Sequence, residues 1–239
     1  MNIDKGTTRT DYVIGAQVDY SLRPINNGNT SLYNLSMTDT LPDSVRLLQV
    51  QLGGSPYPIA LEYAVNGSGT YTAWPGSPFP ANSNQTLNVA SLGLGANDWV
   101  TSVIWHFNPG GSTPPGWTLN PAAHIVGVLT NPDRLGQAVN EGDTVTNIAT
   151  LDWQYLPGGG TGACTDPGGV CNGGGSDGAT IEIVPVPRPL FDKTSGGGAA
   201  TGQRFIIGQN VGYFDLGVNN NTGIAVDNLL VTDTIPPEF

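Results

Sequence analysis

A regular alternation of residue types in the second half of the chain limits the folds that are open to it. Apolar or aromatic residues occupy every second position from Val145 to Tyr155, except that Asn147 interrupts the series. Side chains on a β-strand point alternately to the two faces of a sheet, so the pattern predicts a strand with one buried face. The same period of two recurs from Ile59 to Val65 and from Val103 to Phe107. The best helix candidate, 131–139, is short, and an antiparallel β-sandwich is therefore predicted.

The opening of the chain is repeated near its end. Residues 14–20, IGAQVDY, recur as IGQNVGY at 207–213, and the segment that begins at Asn26 recurs from Asn219. Asp4-Lys5 likewise recurs as Asp192-Lys193. A repeat of about 190 residues gives an organisation in which 1–184 form one all-β domain, 185–189 a proline-rich linker and 190–239 the opening strands of a second copy.

Three polar residues fall on the core side of predicted strands. Lys5 shares its parity with Ile3, and Asp39 shares its parity with Leu35, Met37 and Leu41. Asn147 interrupts the apolar series described above. An unpaired buried lysine or aspartate costs several kcal/mol, so the sequence requires that these groups find partners.

Three interpretations of this triplet remain open at the sequence level. In the first, burial neutralises Lys5 and Asp39, and the amine attacks the Asn147 carboxamide to form an intramolecular isopeptide bond with Asp39 as the proton shuttle. In the second, Lys5 and Asp39 form a plain buried ion pair. In the third, Asp39 bonds backbone amides at its turn and Lys5 extends to solvent.

The motifs around these residues carry a family resemblance. They are DK near the start, IGAQVDYSL, NNGN, LSMTDTLPDSV, IWHF and GDTVTNIATLDW. Together they resemble the conserved-repeat domain that occurs in tandem in large bacterial cell-surface proteins, and they are similar to the immunoglobulin-like domains of Gram-positive pilins and collagen adhesins. The resemblance implies an immunoglobulin-like sandwich with a structural, non-enzymatic role outside the cell, at the cell surface.

The resemblance also implies roles for single residues. In the pilin relatives the lysine lies on the first strand, the acid on the strand before DTLP and the asparagine in the VxNxA strand, which correspond here to Lys5, Asp39 and Asn147. Lys193 and Asp233 are the equivalents in the second copy, which ends before an equivalent asparagine. The stretch between Asp39 and Asn147 is long beside the pilin pattern.

The two cysteines and the net charge indicate which environments and partners suit the protein. Cys164 and Cys171 lie in a glycine-rich segment with no second pair or nearby histidine, so a local disulfide is preferred over free thiols and over a zinc site. The net charge of −11, with only eight lysines and arginines, argues against nucleic-acid binding. No apolar run of about 18 residues is present, so no membrane insertion is expected.

Enzymatic activity on other molecules is not expected. His106 and His124 form no metal-binding or nucleophile motif and lie on predicted strands. No cofactor is expected either, although calcium at loop residues Asp133, Asp166 or Asp177 stays open.

The alternative function is an adhesin or carbohydrate-binding module for a glycan or host surface. Trp74 and Trp117, flanked by prolines and glycines, are the tryptophans expected to be exposed for such binding.

The partial second copy raises the question of assembly. A few opening strands cannot bury their apolar faces alone. They are expected either to pack on a neighbour or the linker as part of a fragment, or to complete a sheet in another subunit and so build a filament. Self-association or contact with neighbouring repeats of the same protein is therefore the expected kind of partnership.

Overall fold

The computed structural model describes residues 1–155 and 171–184, the backbone of strands Leu190–Gly196 and Tyr213–Asn219, and residues 230 and 232. The chain divides into two units, Met1–Val184 and Pro185–Phe239. Cys164, Asp166 and Asp233 lie outside the described residues, so the predictions made for them stay predictions.

Nearly all regular structure in the described residues is β. The strands are β1 (Asn2–Thr7), β2 (Asp11–Tyr12), β3 (Gln17–Ile25), β4 (Leu32–Thr40), β5 (Val45–Gln51), β6 (Ile59–Val65), β7 (Tyr71–Ala73), β8 (Thr86–Asn88), β9 (Val100–Phe107), β10 (Ser112–Thr113), β11 (Ala123–Leu129), β12 (Thr144–Tyr155), β13 (Cys171–Ile183), β14 (Leu190–Gly196) and β15 (Tyr213–Asn219). A 3-10 helix at Val89–Leu92 interrupts them. Within the described residues there is no helix long and apolar enough to cross a membrane.

The helix considered for 131–139 does not form. Oδ1 of Asp133 accepts hydrogen bonds from the backbone N–H groups of Leu135 and Gln137, at 2.9 and 2.7 Å. These donors would bond to main-chain carbonyls in a helix, so the aspartate side chain stabilises a turn in its place.

The first unit is a sandwich of two sheets with immunoglobulin-like topology. One sheet has the order β1-β3-β11-β5-β8, and the other has the order β2-β13-β12-β4-β9-β6-β7, with β10 beside β4. The groups β1-β3-β11-β5 and β13-β12-β4 reproduce the two sheets of a seven-stranded immunoglobulin domain. The prediction of an all-β, immunoglobulin-like antiparallel sandwich is confirmed, with the short β2–β13 pairing as a parallel exception.

An insertion accounts for the long stretch between Asp39 and Asn147. Residues 52–122 lie between β5 and β11, where the seven-stranded pattern has a direct connection. Their strands β9, β6 and β7 extend the second sheet beyond β4, and β8 adds to the edge of the first sheet. The insertion therefore widens the sandwich and leaves β1, β4 and β12 in their immunoglobulin positions.

Trp74 and Trp117 belong to the core, so the expectation that they are exposed is wrong. Their relative exposures are 2% and 6%. Trp74 packs edge-on against Tyr63, with ring centroids 5.5 Å apart, and Trp117 packs against Phe107 at 5.2 Å. The turns that flank them fold these large apolar rings back onto the sandwich, because burying an indole removes more apolar surface from water than any other single side chain offers.

The second unit is described only as a hairpin. Strands β14 and β15 pair antiparallel, and Lys193 lies opposite Leu216 in the backbone register. In the first unit Lys5 lies opposite Leu22 in the corresponding pair of strands. The assignment of Lys193 and Asp233 as equivalents of Lys5 and Asp39 stays a prediction.

Candidate functional site

The three polar residues singled out in the sequence lie inside the sandwich. Lys5 is in β1 of the first sheet, whereas Asp39 in β4 and Asn147 in β12 belong to the second sheet. Their relative exposures are 6%, 0% and 0%. Each occupies an inward position because it shares the face of the buried apolar residues next to it in the alternation of its strand.

Lys5 and Asp39 are in direct contact. The Lys5 Nζ donates a hydrogen bond to Oδ2 of Asp39, and both side chains are wholly inaccessible to solvent. The same Nζ lies 5.5 Å from the centre of the Tyr20 ring. The amine is therefore enclosed between an acid from the opposite sheet and an aromatic ring from β3, with no route to water.

Burial moves both pKa values toward the neutral forms of the groups. Loss of solvent lowers the pKa of the Lys5 amine, and the nearby carboxyls of Asp39 and Asp177 oppose that change. Burial raises the pKa of the Asp39 carboxyl, against the opposing influence of Lys5 and Asn147. Desolvation is the largest influence on each group, so burial favours a neutral amine beside a protonated acid.

The Asn147 carboxamide is the least satisfied group of the site. Asn147 lies close enough to Asp39 for a side-chain hydrogen bond between them to oppose the rise of the Asp39 pKa, yet neither Nδ2 nor Oδ1 of Asn147 makes a hydrogen bond of regular geometry. Oδ1 of Asp39 also lacks one. Each unsatisfied buried polar group costs about 1–3 kcal/mol, so such a cluster inside the sandwich calls for a chemical explanation.

Two further residues complete the surroundings and were missed as site residues from sequence. Tyr20 is fully buried, its hydroxyl has no partner, and burial followed by the charge of Asp39 raises its pKa. Its recurrence at Tyr213 in the repeated segment was a usable signal. Oδ2 of Asp177 accepts a hydrogen bond from the backbone N–H of Lys5 at 2.9 Å. This contact joins the two sheets, and no pattern in the sequence predicts it.

Other candidate residues do not assemble into sites. His106 in β9 lies 3.5 Å from Glu62, and His124 in β11 lies 2.8 Å from Asp19. The two histidines belong to different sheets, so they form no catalytic pair. Cys171 is buried at the start of β13, and its pairing with Cys164 stays a prediction.

The calcium alternative gains no support from geometry. The carboxylates of Asp133 and Asp177 are engaged by backbone N–H groups. Across the described ranges, no group of three or more His, Cys, Asp or Glu residues could hold a metal ion.

Comparison with known proteins yields only remote likenesses. No family model matches the chain, and no curated protein matches it. One similar solved structure is ACE19, the collagen-binding subdomain of the Enterococcus faecalis surface protein ACE, with 11% identity, coverage of 75% of this chain and 95% of that chain, and a TM-score of 0.32.

Two more solved structures match the chain at similarly low sequence identity. AvmM, which catalyses macrocyclization in alchivemycin A biosynthesis, has 13% identity, coverage of 79% and 90%, and a TM-score of 0.30. The CooA pilin subunit of enterotoxigenic Escherichia coli has 8% identity, coverage of 77% and 100%, and a TM-score of 0.15. Likenesses this weak carry no argument about function, which has to be made from the buried triplet.

Proposed function

We propose that the first unit is a structural module of an extracellular bacterial surface or filament protein, locked by an isopeptide bond that it forms between its own Lys5 and Asn147. The observation that carries the proposal is the unpartnered Asn147 carboxamide in the dry core beside the Lys5–Asp39 pair. The protein is proposed to act on no other molecule.

The reaction follows from the protonation states that burial favours. The neutral Lys5 amine attacks the Asn147 side-chain carbonyl carbon while the protonated Asp39 donates a hydrogen bond to its oxygen. Asp39 then relays a proton from the attacking nitrogen to Nδ2, and the C–Nδ2 bond breaks. Ammonia leaves, a new C–Nζ amide bond remains, and Asp39 regains its proton.

A crosslink accounts for the site better than a plain ion pair does. An ion pair leaves Oδ1 of Asp39 and both polar atoms of Asn147 without partners in the interior. The crosslink removes Nδ2, removes the buried amine and leaves a neutral amide whose oxygen can accept a hydrogen bond from protonated Asp39. The number of unsatisfied buried groups therefore falls when the bond forms.

The position of the bond suits a mechanical role. Strand β1 is at the edge of the first sheet, and β12 is inside the second sheet. An edge strand is held by hydrogen bonds on one side only and is the easiest strand to peel away. A covalent tie from β1 to β12 fastens this edge to the opposite sheet.

The alternative of an adhesin or carbohydrate-binding module loses its main support. Trp74 and Trp117 are buried in the core and present no ring for stacking on a sugar. Assembly through the strands of the second unit stays a prediction. Its motivation is that, among the residues that the structure describes, β14 and β15 pair only with each other.

Intact-mass spectrometry tests the crosslink. The folded protein is expected to weigh about 17 Da less than its sequence requires, because one ammonia is lost per bond. Asn147→Ala and Asp39→Ala are expected to show no deficit. By the loop-closure argument used for disulfides, loss of a tie that closes more than 100 residues should lower the free energy of unfolding by about 4–5 kcal/mol.

Asp152→Ala provides the matched control. Asp152 is on the same strand as Asn147 but faces solvent, so this variant should keep both the deficit and the stability. A full sequence mass for the folded wild-type protein, or no tryptic peptide that joins residue 5 to residue 147, would show the proposal to be wrong.

A further inference from the structure

The backbone of Lys5 is held by the sheet opposite its own. Within the described part of the chain, strand β1 pairs only with β3, so the N–H groups on its outer side have no strand partner there. The N–H of Lys5 is one of these, and it donates to Oδ2 of Asp177 on β13 at 2.9 Å. Asp177 therefore fixes the backbone of the reacting lysine against the second sheet.

The registers of three strands show where this fixed point lies relative to the chemistry. Asp39 on β4 lies opposite Ala149 on β12, and Ala149 lies opposite Asp177 on β13. These three residues form one lateral row of the second sheet. Strands are about 4.8 Å apart, so the backbones at the two ends of the row are separated by roughly 10 Å.

Lys5 contacts both ends of this row. Its backbone N–H is bound at Asp177, and its Nζ is bound at Asp39. The strand between these ends is β12, which carries Asn147 two positions from Ala149 on the same face. Because Lys5 is bound at both ends of the row, it is directed across β12, the strand that carries the Asn147 carboxamide.

The residue in the middle of the row leaves space for this arrangement. Ala149 is fully buried and is the smallest side chain among the inward residues of β12. A larger residue here would compete with the lysine stem for the same volume.

We propose that Asp177 is a positioning residue for the crosslinking reaction, acting through its hydrogen bond to the Lys5 backbone. This inference rests on the proposed function. The effective molarity of two reacting groups depends steeply on how they are placed relative to each other, and a displacement of about 1 Å can slow a reaction by about 100-fold. Without the Asp177 acceptor, the backbone of edge strand β1 is less restrained at Lys5. The Lys5 amine is then aligned with Asn147 for a smaller fraction of the time.

The charge and the hydrogen bond of Asp177 have opposite effects on the reaction. The titratable groups around Lys5 are Asp39 from β4 and Asp177 from β13, and Tyr20 faces it from β3. The negative charge of Asp177 favours the protonated, unreactive amine, whereas its acceptor oxygen holds the backbone. Asp177→Asn removes the charge and keeps an acceptor, so the two effects can be separated.

The test is the rate of crosslinking in full-length chains made by a short pulse of cell-free translation and sampled by intact mass. Asp177→Ala should acquire the mass deficit of about 17 Da at a rate 10- to 100-fold below wild type. Asp177→Asn should react at least as fast as wild type, with the acid side of its pH–rate profile moved to lower pH. The same two substitutions in a Lys5→Ala background, which cannot crosslink, should both give cooperative unfolding transitions.

Each outcome of this experiment either supports or overturns the positioning role of Asp177. Wild-type rates in Asp177→Ala, or equal slowing in Asp177→Ala and Asp177→Asn, would overturn the positioning role and leave the crosslink standing. An unfolded Lys5→Ala/Asp177→Ala chain would make Asp177 a structural residue only and would also overturn it. A wild-type protein with no deficit would reject the proposed function itself and this inference with it.

Discussion

At the scale of single residues, the unusual feature is a buried acid and amine whose environment favours neutrality. In water, an aspartate and a lysine are both ionised at neutral pH. Enclosed between the two sheets, Asp39 and Lys5 have pKa values moved in opposite directions by the same loss of solvent. In the proposed reaction, Lys5 would be the nucleophile and Asp39 the general acid.

The pH dependence of crosslinking should be bell-shaped. Toward acid pH the Lys5 amine takes up a proton and ceases to be a nucleophile, and toward alkaline pH the Asp39 carboxyl loses the proton that it has to donate. Because the pKa of Lys5 is lowered from 10.5 and that of Asp39 is raised from 3.8, the maximum should lie between these two ordinary values. Intact-mass time courses across a pH series measure this profile.

A different profile would contradict the assigned protonation states. A rate that keeps rising toward the ordinary lysine value of 10.5 would mean that the amine is not neutralised by burial. Tyr20 should not complicate the measurement, since burial raises the pKa of its phenol and keeps it protonated over the same range.

The residues of the site could be predicted from sequence to the extent that strand parity reports burial. Lys5, Asp39 and Asn147 share parity with apolar neighbours on single strands, and all three are buried. Asp177 was considered only as a calcium ligand, because its contact with Lys5 joins strands of different sheets that are far apart in sequence. Trp74 was misjudged because flanking turns indicate a loop but do not show whether the loop folds back onto the core.

At the scale of elements, β12 and β13 show how a glycine-rich strand accommodates an aromatic ring. The inward series of β12 ends at Trp153, next to an irregularity in its pairing with β4. Trp153 lies opposite Gly173 in β13. A Cβ atom at Gly173 would come within 2.4 Å of the indole ring, so the missing side chain makes room for the tryptophan.

Two glycines of β13 should therefore respond differently to alanine. Gly173→Ala should lower the free energy of unfolding by about 1–3 kcal/mol, because the added methyl group overpacks the site of the Trp153 ring. Gly175→Ala is the matched control, since its Cβ would lie 3.8 Å from the same ring, an ordinary contact. This substitution should leave the free energy of unfolding unchanged or raise it by about 0.4–1 kcal/mol, because alanine gives the unfolded chain fewer conformations than glycine does.

Chemical denaturation monitored by tryptophan fluorescence measures both variants. Equal stabilities for Gly173→Ala and Gly175→Ala would contradict the close packing of Trp153 on Gly173. The comparison is internal to one strand, so general effects of alanine on strand propensity cancel.

Individual strands were more predictable than their order. The alternation at 59–65 corresponds to β6 with the same bounds, and the series at 144–155 corresponds to β12. Pairing could not be read in the same way, because period-two patterns fix the faces of a strand and not its neighbours. The insertion at 52–122, with its placement of β9 beside β4, became evident only in three dimensions.

At the scale of the whole first unit, the proposed bond divides the chain into a protected and an extensible part. Residues between 5 and 147 would lie inside a covalent ring, and 41 residues of the unit, 1–4 and 148–184, would lie outside it. Under tension, extension should then be limited to about 135–150 Å, against about 600–660 Å for a unit of 184 residues that unfolds completely, at about 3.3–3.6 Å per residue.

Single-molecule force spectroscopy of the protein and of Asn147→Ala measures this difference. The variant should show the long extension because its ring is open, and Asp152→Ala should behave as the wild type does. A long extension in the wild-type protein would show that the chain between residues 5 and 147 is free to unravel.

The insertion at 52–122 lies wholly within that ring. A backbone cut by a protease in one of its turns would open the loop without parting the molecule, because the Lys5–Asn147 amide would still join the two pieces. Sequence drift in the insertion would likewise leave the route by which tension crosses the unit unchanged. With the proposed bond in place, this added surface would tolerate change without altering the strands that hold the two ends.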